Sequence, residues 1–171
     1  MNTKDRRKAV RAYLEASAEP VSATTLAEQF GVSRQVIVGD IALLRAGGAD
    51  IMATPRGYAM QQNRKSGFVR AVACSHNASD MEEELCAIVD QGAVVLDVIV
   101  EHPVYGLLTG QLQLFSRHDI SEFLHRVREE GATPLSQLTG GIHLHTLRCP
   151  DESTFRRVRS SLRKKGFLLE G

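Results

Sequence analysis

The 171-residue sequence predicts an α+β protein built from two domains in tandem. Three observations carry this. Residues 3–60 show three helical apolar patterns followed by two short strand patterns. A polar stretch, QQNRKSG at 61–67, then interrupts the apolar periodicity. Beyond it, strands and helices alternate in the order β-α-β-β-α-β-α, which suits a sandwich of the split-βαβ kind extended by one helix. The expected domains are 1–62 and 66–171.

Each element of the first domain has a local cause. Residues 3–16 put Val10, Tyr13 and Leu14 on one side of a helix, with Arg6, Arg7, Lys8 and Arg11 around the rest. Ser22 is placed to cap a short helix whose Leu26, Ala27 and Phe30 face inward, and Gly31-Val32 breaks it. Ser33 caps a third helix, with Ile37, Ile41 and Leu44 at i, i+4 and i+7, closed by Gly47-Gly48. Residues 50–60 read as two strands around the turn Thr54-Pro55-Arg56-Gly57.

In the second domain, residues 68–74 read as a strand. Residues 77–90 form a helix with Met81, Leu85, Ile88 and Val89 on one face and Gly92 as its stop. Residues 93–100 and 107–115 are strands. Ser116 caps a helix carrying Ile120, Phe123, Leu124 and Val127, closed by Gly131. Residues 141–148 are a strand. Asp151 caps a last helix with Phe155, Val158 and Leu162, ended by Gly166.

Composition narrows the class. No apolar run approaches the roughly 20 residues that span a bilayer, and charges occupy the N-terminus where a signal peptide carries its apolar stretch. Three widely spaced cysteines, Cys74, Cys86 and Cys149, offer neither a disulfide framework nor a zinc knuckle, and they read as ordinary thiols of a cytoplasmic protein. The net charge of +1 hides a split of +4 over residues 1–65 and −3 over 66–171. Only the first part is suited to a polyanion.

That first part carries a DNA-binding pattern. Ala27, Gly31 and Ile37 stand at offsets of four and ten, where two helices cross closely at a small residue, turn sharply at glycine and lock through an apolar side chain. The N-terminal end of the helix after Ser33 then meets the major groove. Arg34 and Gln35 suit bidentate pairing with guanine and adenine edges, Ser33 suits phosphate, and Val38 is expected on the exposed side. Arg56, at the tip of the turn, would reach the DNA backbone or minor groove. The segment SRQVIVGDIALLRAGG resembles the winged helix-turn-helix of many bacterial repressors. It departs from them at Gly39, which replaces a long polar side chain and weakens the helix by roughly 1 kcal/mol relative to Ala.

The histidines are unevenly placed. His143 and His145 alternate along a strand, so they share a face and make half of a metal site. On the pattern alone, two half-exposed strand histidines are the favoured reading. His76 closes the first strand, directly before the helix bearing Glu82, Glu83 and Glu84. Helical arithmetic puts Glu82 and Glu84 on opposite flanks of the apolar face and only Glu83 clearly outward, so the carboxylate stays open on spacing.

His76 with Glu84 eight residues on, HPVYG at 102–106, SRHDISEFL at 116–124 and PLSQLTGGIHLHTL at 134–147 together resemble the 3H domain. Winged helix and 3H domain in one chain are similar to the niacin-responsive repressors of NAD biosynthesis and niacin uptake. The resemblance implies a divalent transition metal at His76, Glu84, His143 and His145, operator DNA and niacin (nicotinic acid) as partners, a homodimer and no enzymatic activity. Such a donor set suits Zn, Ni or Fe rather than Mg or Ca. His102, Tyr105 and Arg117 are candidates for the effector pocket, whereas His118 and His125 read as solvated. Two other functions fit the residues: a regulator sensing the metal itself, and a metal-dependent hydrolase fused to a DNA-binding module. The second lacks a general base, since Glu84 would be consumed as a ligand.

Overall fold

The computed structural model describes residues 2–61 and 67–170. It divides into two compact units, Met1–Asn63 and Arg64–Gly171. The expected junction at 62–66 lies outside the described residues.

In the first unit, α1 (Thr3–Ala16), α2 (Ala23–Phe30) and α3 (Arg34–Ala46) precede the antiparallel pair β1 (Ile51–Thr54) and β2 (Gly57–Met60). Asn2, Ser22 and Ser33 cap the three helices, each accepting the N–H three residues on. Gly31 ends α2 in the left-handed conformation, at φ 63°, as the sharp turn requires. Val10, Leu14, Leu26, Ile37, Ile41 and Ile51 fill the core. Arg6, which the sequence places among the exterior bases, instead points inward. Its guanidinium donates to both oxygens of the buried Asp40, at 2.6 and 3.3 Å, tying α1 to α3. The wing is held by Val21 and Tyr58, which exchange two backbone hydrogen bonds of 2.8 Å.

The second unit contains β3 (Phe68–Ser75), α4 (Met81–Val89), β4 (Val94–His102), β5 (Gly106–Leu114), α5 (Arg117–Glu129), β6 (Ile142–Cys149) and α6 (Glu152–Lys164). The sheet order is β3-β6-β4-β5, with every neighbour antiparallel. β3 and β4, joined through α4, therefore run in one direction with β6 inserted between them, which is a split β-α-β unit. The architecture is α+β, as the sequence predicts. The core is built from sheet residues such as Val72, Val95, Leu114 and Leu147 and helix residues such as Leu85, Ile88, Ile120, Val158 and Leu162.

Two local features depart from the sequence reading. The helix expected over 77–90 opens as a 3-10 turn, Ala78–Asp80, because Asn77 supplies no side-chain cap and the chain tightens before α4 begins. A second 3-10 segment, Leu135–Thr139, packs on β4 and β6. At five residues it is too short for an apolar period to mark it in sequence. After α6 the chain returns along β3, where Ser75 donates to the Phe167 carbonyl and Leu169 to that of Ala73, both at 2.9 Å. The outer edge of β3 is thereby paired.

Candidate functional site

Strand alternation decides which side chains of β6 enter the core. His143 and His145 are buried, while Ile142 and Leu144 lie on the opposite face, 52% and 37% exposed. On the buried side β6 faces α4, whose Glu84 is 1% exposed. Its Oε2 lies 2.6 Å from His76 Nε2, and its Oε1 lies 2.9 Å from His143 Nε2 and 3.3 Å from His145 Nε2. The structure thus brings together His76, Glu84, His143 and His145, and it places Glu83 outward, bound to Lys165 at 2.8 Å.

Each imidazole is oriented from behind by a main-chain carbonyl. His76 Nδ1 donates to Asn77, His143 Nδ1 to Gly141 and His145 Nδ1 to Asp97, at 2.7, 2.8 and 2.7 Å. A carbonyl only accepts, so each Nδ1 carries the proton and each neutral ring turns its Nε2 lone pair inward. Three lone pairs then converge on a carboxylate, acceptor against acceptor, in a buried space. Only positive charge resolves that arrangement, either as protons on the imidazoles or as a bound cation. The residues present therefore fit a transition metal.

The electrostatics of the metal-free site follow from the same geometry. Burial opposes charge on His76 and His145, but hydrogen bonding to Glu84 and its negative charge outweigh that and raise both imidazoles above their ordinary range. Burial pushes the Glu84 carboxyl up, yet the imidazoles, led by His145, hold it well below the usual carboxylate range. Burial, then the charge of Glu84, pushes the Cys74 thiol far up.

Sequence reasoning overlooked several contributors. Cys74, which in sequence reads as an ordinary thiol, is fully buried, and its sulfur, a Glu84 oxygen and a His143 ring nitrogen lie within 4.8 Å of one another. The available signal is its position two residues before His76, which follows the end of the strand. Gly141 adopts φ 99°, and a Cβ there would fall 2.4 Å from the His76 carbonyl oxygen. The close approach explains why glycine precedes the histidine strand. Phe167 packs edge-on against His76, with centroids 5.3 Å apart.

The effector candidates separate. His102 and Tyr105 sit together at the β4–β5 turn with rings 5.0 Å apart, and His102 Nδ1 accepts the N–H groups of Val104 and Tyr105. Arg117 lies against α4 instead, its guanidinium donating to both oxygens of Asp90 at 2.8 and 2.6 Å.

In the first unit, Ala27 and Ile37 are buried at the α2–α3 crossing, and the first turn of α3 presents Ser33, Arg34 and Gln35 to solvent. Ser33 also accepts the Val36 N–H. Val38 does not take the expected exposed position. It is half-buried beside Ile37, and Val36 is the exposed valine. Gly39 is exposed, and a Cβ there would meet nothing within 4 Å. Arg56, at the wing tip, pairs with Glu19.

Comparison with known proteins agrees with this division. Residues 6–59 match the model of an HTH domain, and residues 69–171 match that of the 3H domain. The chain is 47% identical over 166 residues to the probable transcription repressor NiaR of Thermotoga maritima, covering 97% of this chain and 94% of the relative. It is 42% identical over 171 residues to the transcription repressor NadR of Bacillus subtilis, with the same coverage. Helix-turn-helix geometry, 3H domain and whole-length similarity together place the chain in the family of DNA-binding transcription repressors that join an HTH domain to a 3H domain, regulators rather than enzymes.

Proposed function

We propose that this repressor controls genes of NAD biosynthesis or niacin uptake in the cytoplasm, with niacin as co-repressor and a transition metal (Zn, Ni or Fe) in its C-terminal domain. Residues 1–62 bind operator DNA through Ser33, Arg34, Gln35 and Arg56. Residues 66–171 hold the metal through His76, Glu84, His143 and His145. The observation that carries the reading is the convergence of three Nε2 atoms on the buried Glu84, each ring fixed by a carbonyl behind it. When bound, the metal supplies positive charge and open coordination positions suited to a carboxylate or pyridine nitrogen.

Niacin acts as co-repressor by favouring the DNA-competent arrangement, because only differential affinity shifts an equilibrium. A homodimer suits a symmetric operator, and the exposed Ile142 and Leu144 give β6 an apolar outer face for a second copy. Light scattering of the full chain checks the stoichiometry.

The functional test measures binding to promoter DNA of niacin-uptake and NAD-synthesis genes under three conditions: metal alone, metal with nicotinic acid, and nicotinic acid with chelator. Tightening only when both are present is expected. Full tightening by metal alone identifies a metal sensor instead, and no response to nicotinic acid overturns its role as co-repressor.

A further inference from the structure

Cys74 borders the donor cluster beside Glu84 and His143, and nothing in the histidine-and-glutamate ligand set accounts for it. On β3 it lies two residues before His76, and in the ladder it stands directly opposite His143. The next same-face pair, Val72 opposite His145, continues the row. The sulfur therefore has the His143 imidazole across the ladder and Glu84 of α4 close by. Its 4.8 Å neighbourhood with the Glu84 and His143 donor atoms is the spacing of groups able to share one ion. Cys149, by contrast, is equally buried but lies opposite Phe68, away from the histidines.

Building on the metal reading above, we propose that Cys74 is a further ligand of this metal, making the site a mixed sulfur, nitrogen and oxygen centre. The sulfur loses its proton to solvent as the metal–sulfur bond forms, since a coordinating thiol is deprotonated by the ion. A soft donor among imidazoles favours borderline-soft ions such as zinc or cobalt over magnesium or calcium. A buried cysteine that serves only as a small hydrophobe needs no particular neighbours. This one lies within 4.8 Å of two donor atoms, one from Glu84 and one from His143.

The test uses the full-length protein, stripped with chelator, reduced, and titrated anaerobically with Co(II). Wild type should develop visible d–d bands together with a near-ultraviolet sulfur-to-cobalt charge-transfer band, both saturating at one equivalent. Cys74→Ser should keep the d–d bands and lose the charge-transfer band, while Cys86→Ser and Cys149→Ser keep both. X-ray absorption on the unmutated zinc-loaded protein gives a reading independent of variant folding, with a sulfur scatterer expected at about 2.3 Å beside nitrogen and oxygen at about 2.0–2.2 Å. Identical spectra for wild type and Cys74→Ser, or a shell of nitrogen and oxygen alone, overturn the sulfur ligand and leave the metal reading standing. Absence of any cobalt bands in wild type overturns both.

Discussion

Metal binding at this site should release protons, and the structure supplies the count. With each Nδ1 committed to a carbonyl, an imidazole can donate to Glu84 only by carrying a second proton on Nε2. His76 and His145 are held in that charged form above the ordinary imidazole range. A metal needs the lone pairs of the same atoms. Loading it while both rings are charged therefore expels two protons, and a coordinating Cys74 would add a third. The logarithm of the apparent association constant should rise by at least two per pH unit in that range, or about 2.7 kcal/mol per unit from two protons. The metal-free protein follows the opposite course. Raised imidazole values contribute stability that is complete below about pH 6.5 and lost as pH rises through the folded values. The lowered Glu84 contributes stability that is present above about pH 4.3 and lost as pH falls through its folded value. The melting temperatures of loaded and chelated protein should therefore diverge as pH rises through the imidazole range. Competition with a chromophoric chelator across pH measures the slope, and thermal melts measure the divergence. A slope below one, or curves that stay parallel, would refute the lone-pair argument.

Five substitutions test other parts of the structure. Gly39→Ala should stabilise α3 by roughly 1 kcal/mol in urea unfolding, since its Cβ meets nothing within 4 Å and the helix gains propensity; a loss of stability contradicts this. Gly57→Ala should destabilise the first unit by more than about 2 kcal/mol, because Gly57 has φ 133° and its Cβ would lie 2.4 Å from the Val21 carbonyl. Gly141→Ala should weaken metal binding by about 10–100-fold, the scale of lost second-shell support, by forcing the His76 carbonyl aside and shifting the partner of His143. Arg34→Ala and Gln35→Ala should each cost about 1–3 kcal/mol of specific operator binding and relax sequence preference, read by titration against matched and mismatched DNA.

How far the sequence reveals this molecule depends on whether the deciding contacts are local. Helices α1, α2, α3, α5 and α6 are bounded by caps such as Ser33, Ser116 and Asp151, each bonded three residues ahead, so their starts are legible. The 3-10 segment Leu135–Thr139 is not legible, because five residues are too few to show a period and packing on β4 and β6 holds it. The half-buried position of Val38 meets a similar limit. Its nearness to the buried Ile37–Ile41 seam is settled by how α3 rolls against α1 and α2, which spacing leaves open.

The carboxylate shows the same limit in the metal site. Glu84 lies just before Leu85 and four residues before Ile88, on the flank of the apolar face, where burial without partners would be costly. What makes it tolerable is His143, 59 positions away, brought opposite Cys74 by the β3–β6 register. No periodicity within α4 contains that register, and only likeness to a known domain could supply it from sequence. The same register buries Cys74 among the histidines, yet the likeness was silent on a sulfur donor. Family resemblance transmits the ligands it is named for, whereas the ladder also reveals the sulfur beside them.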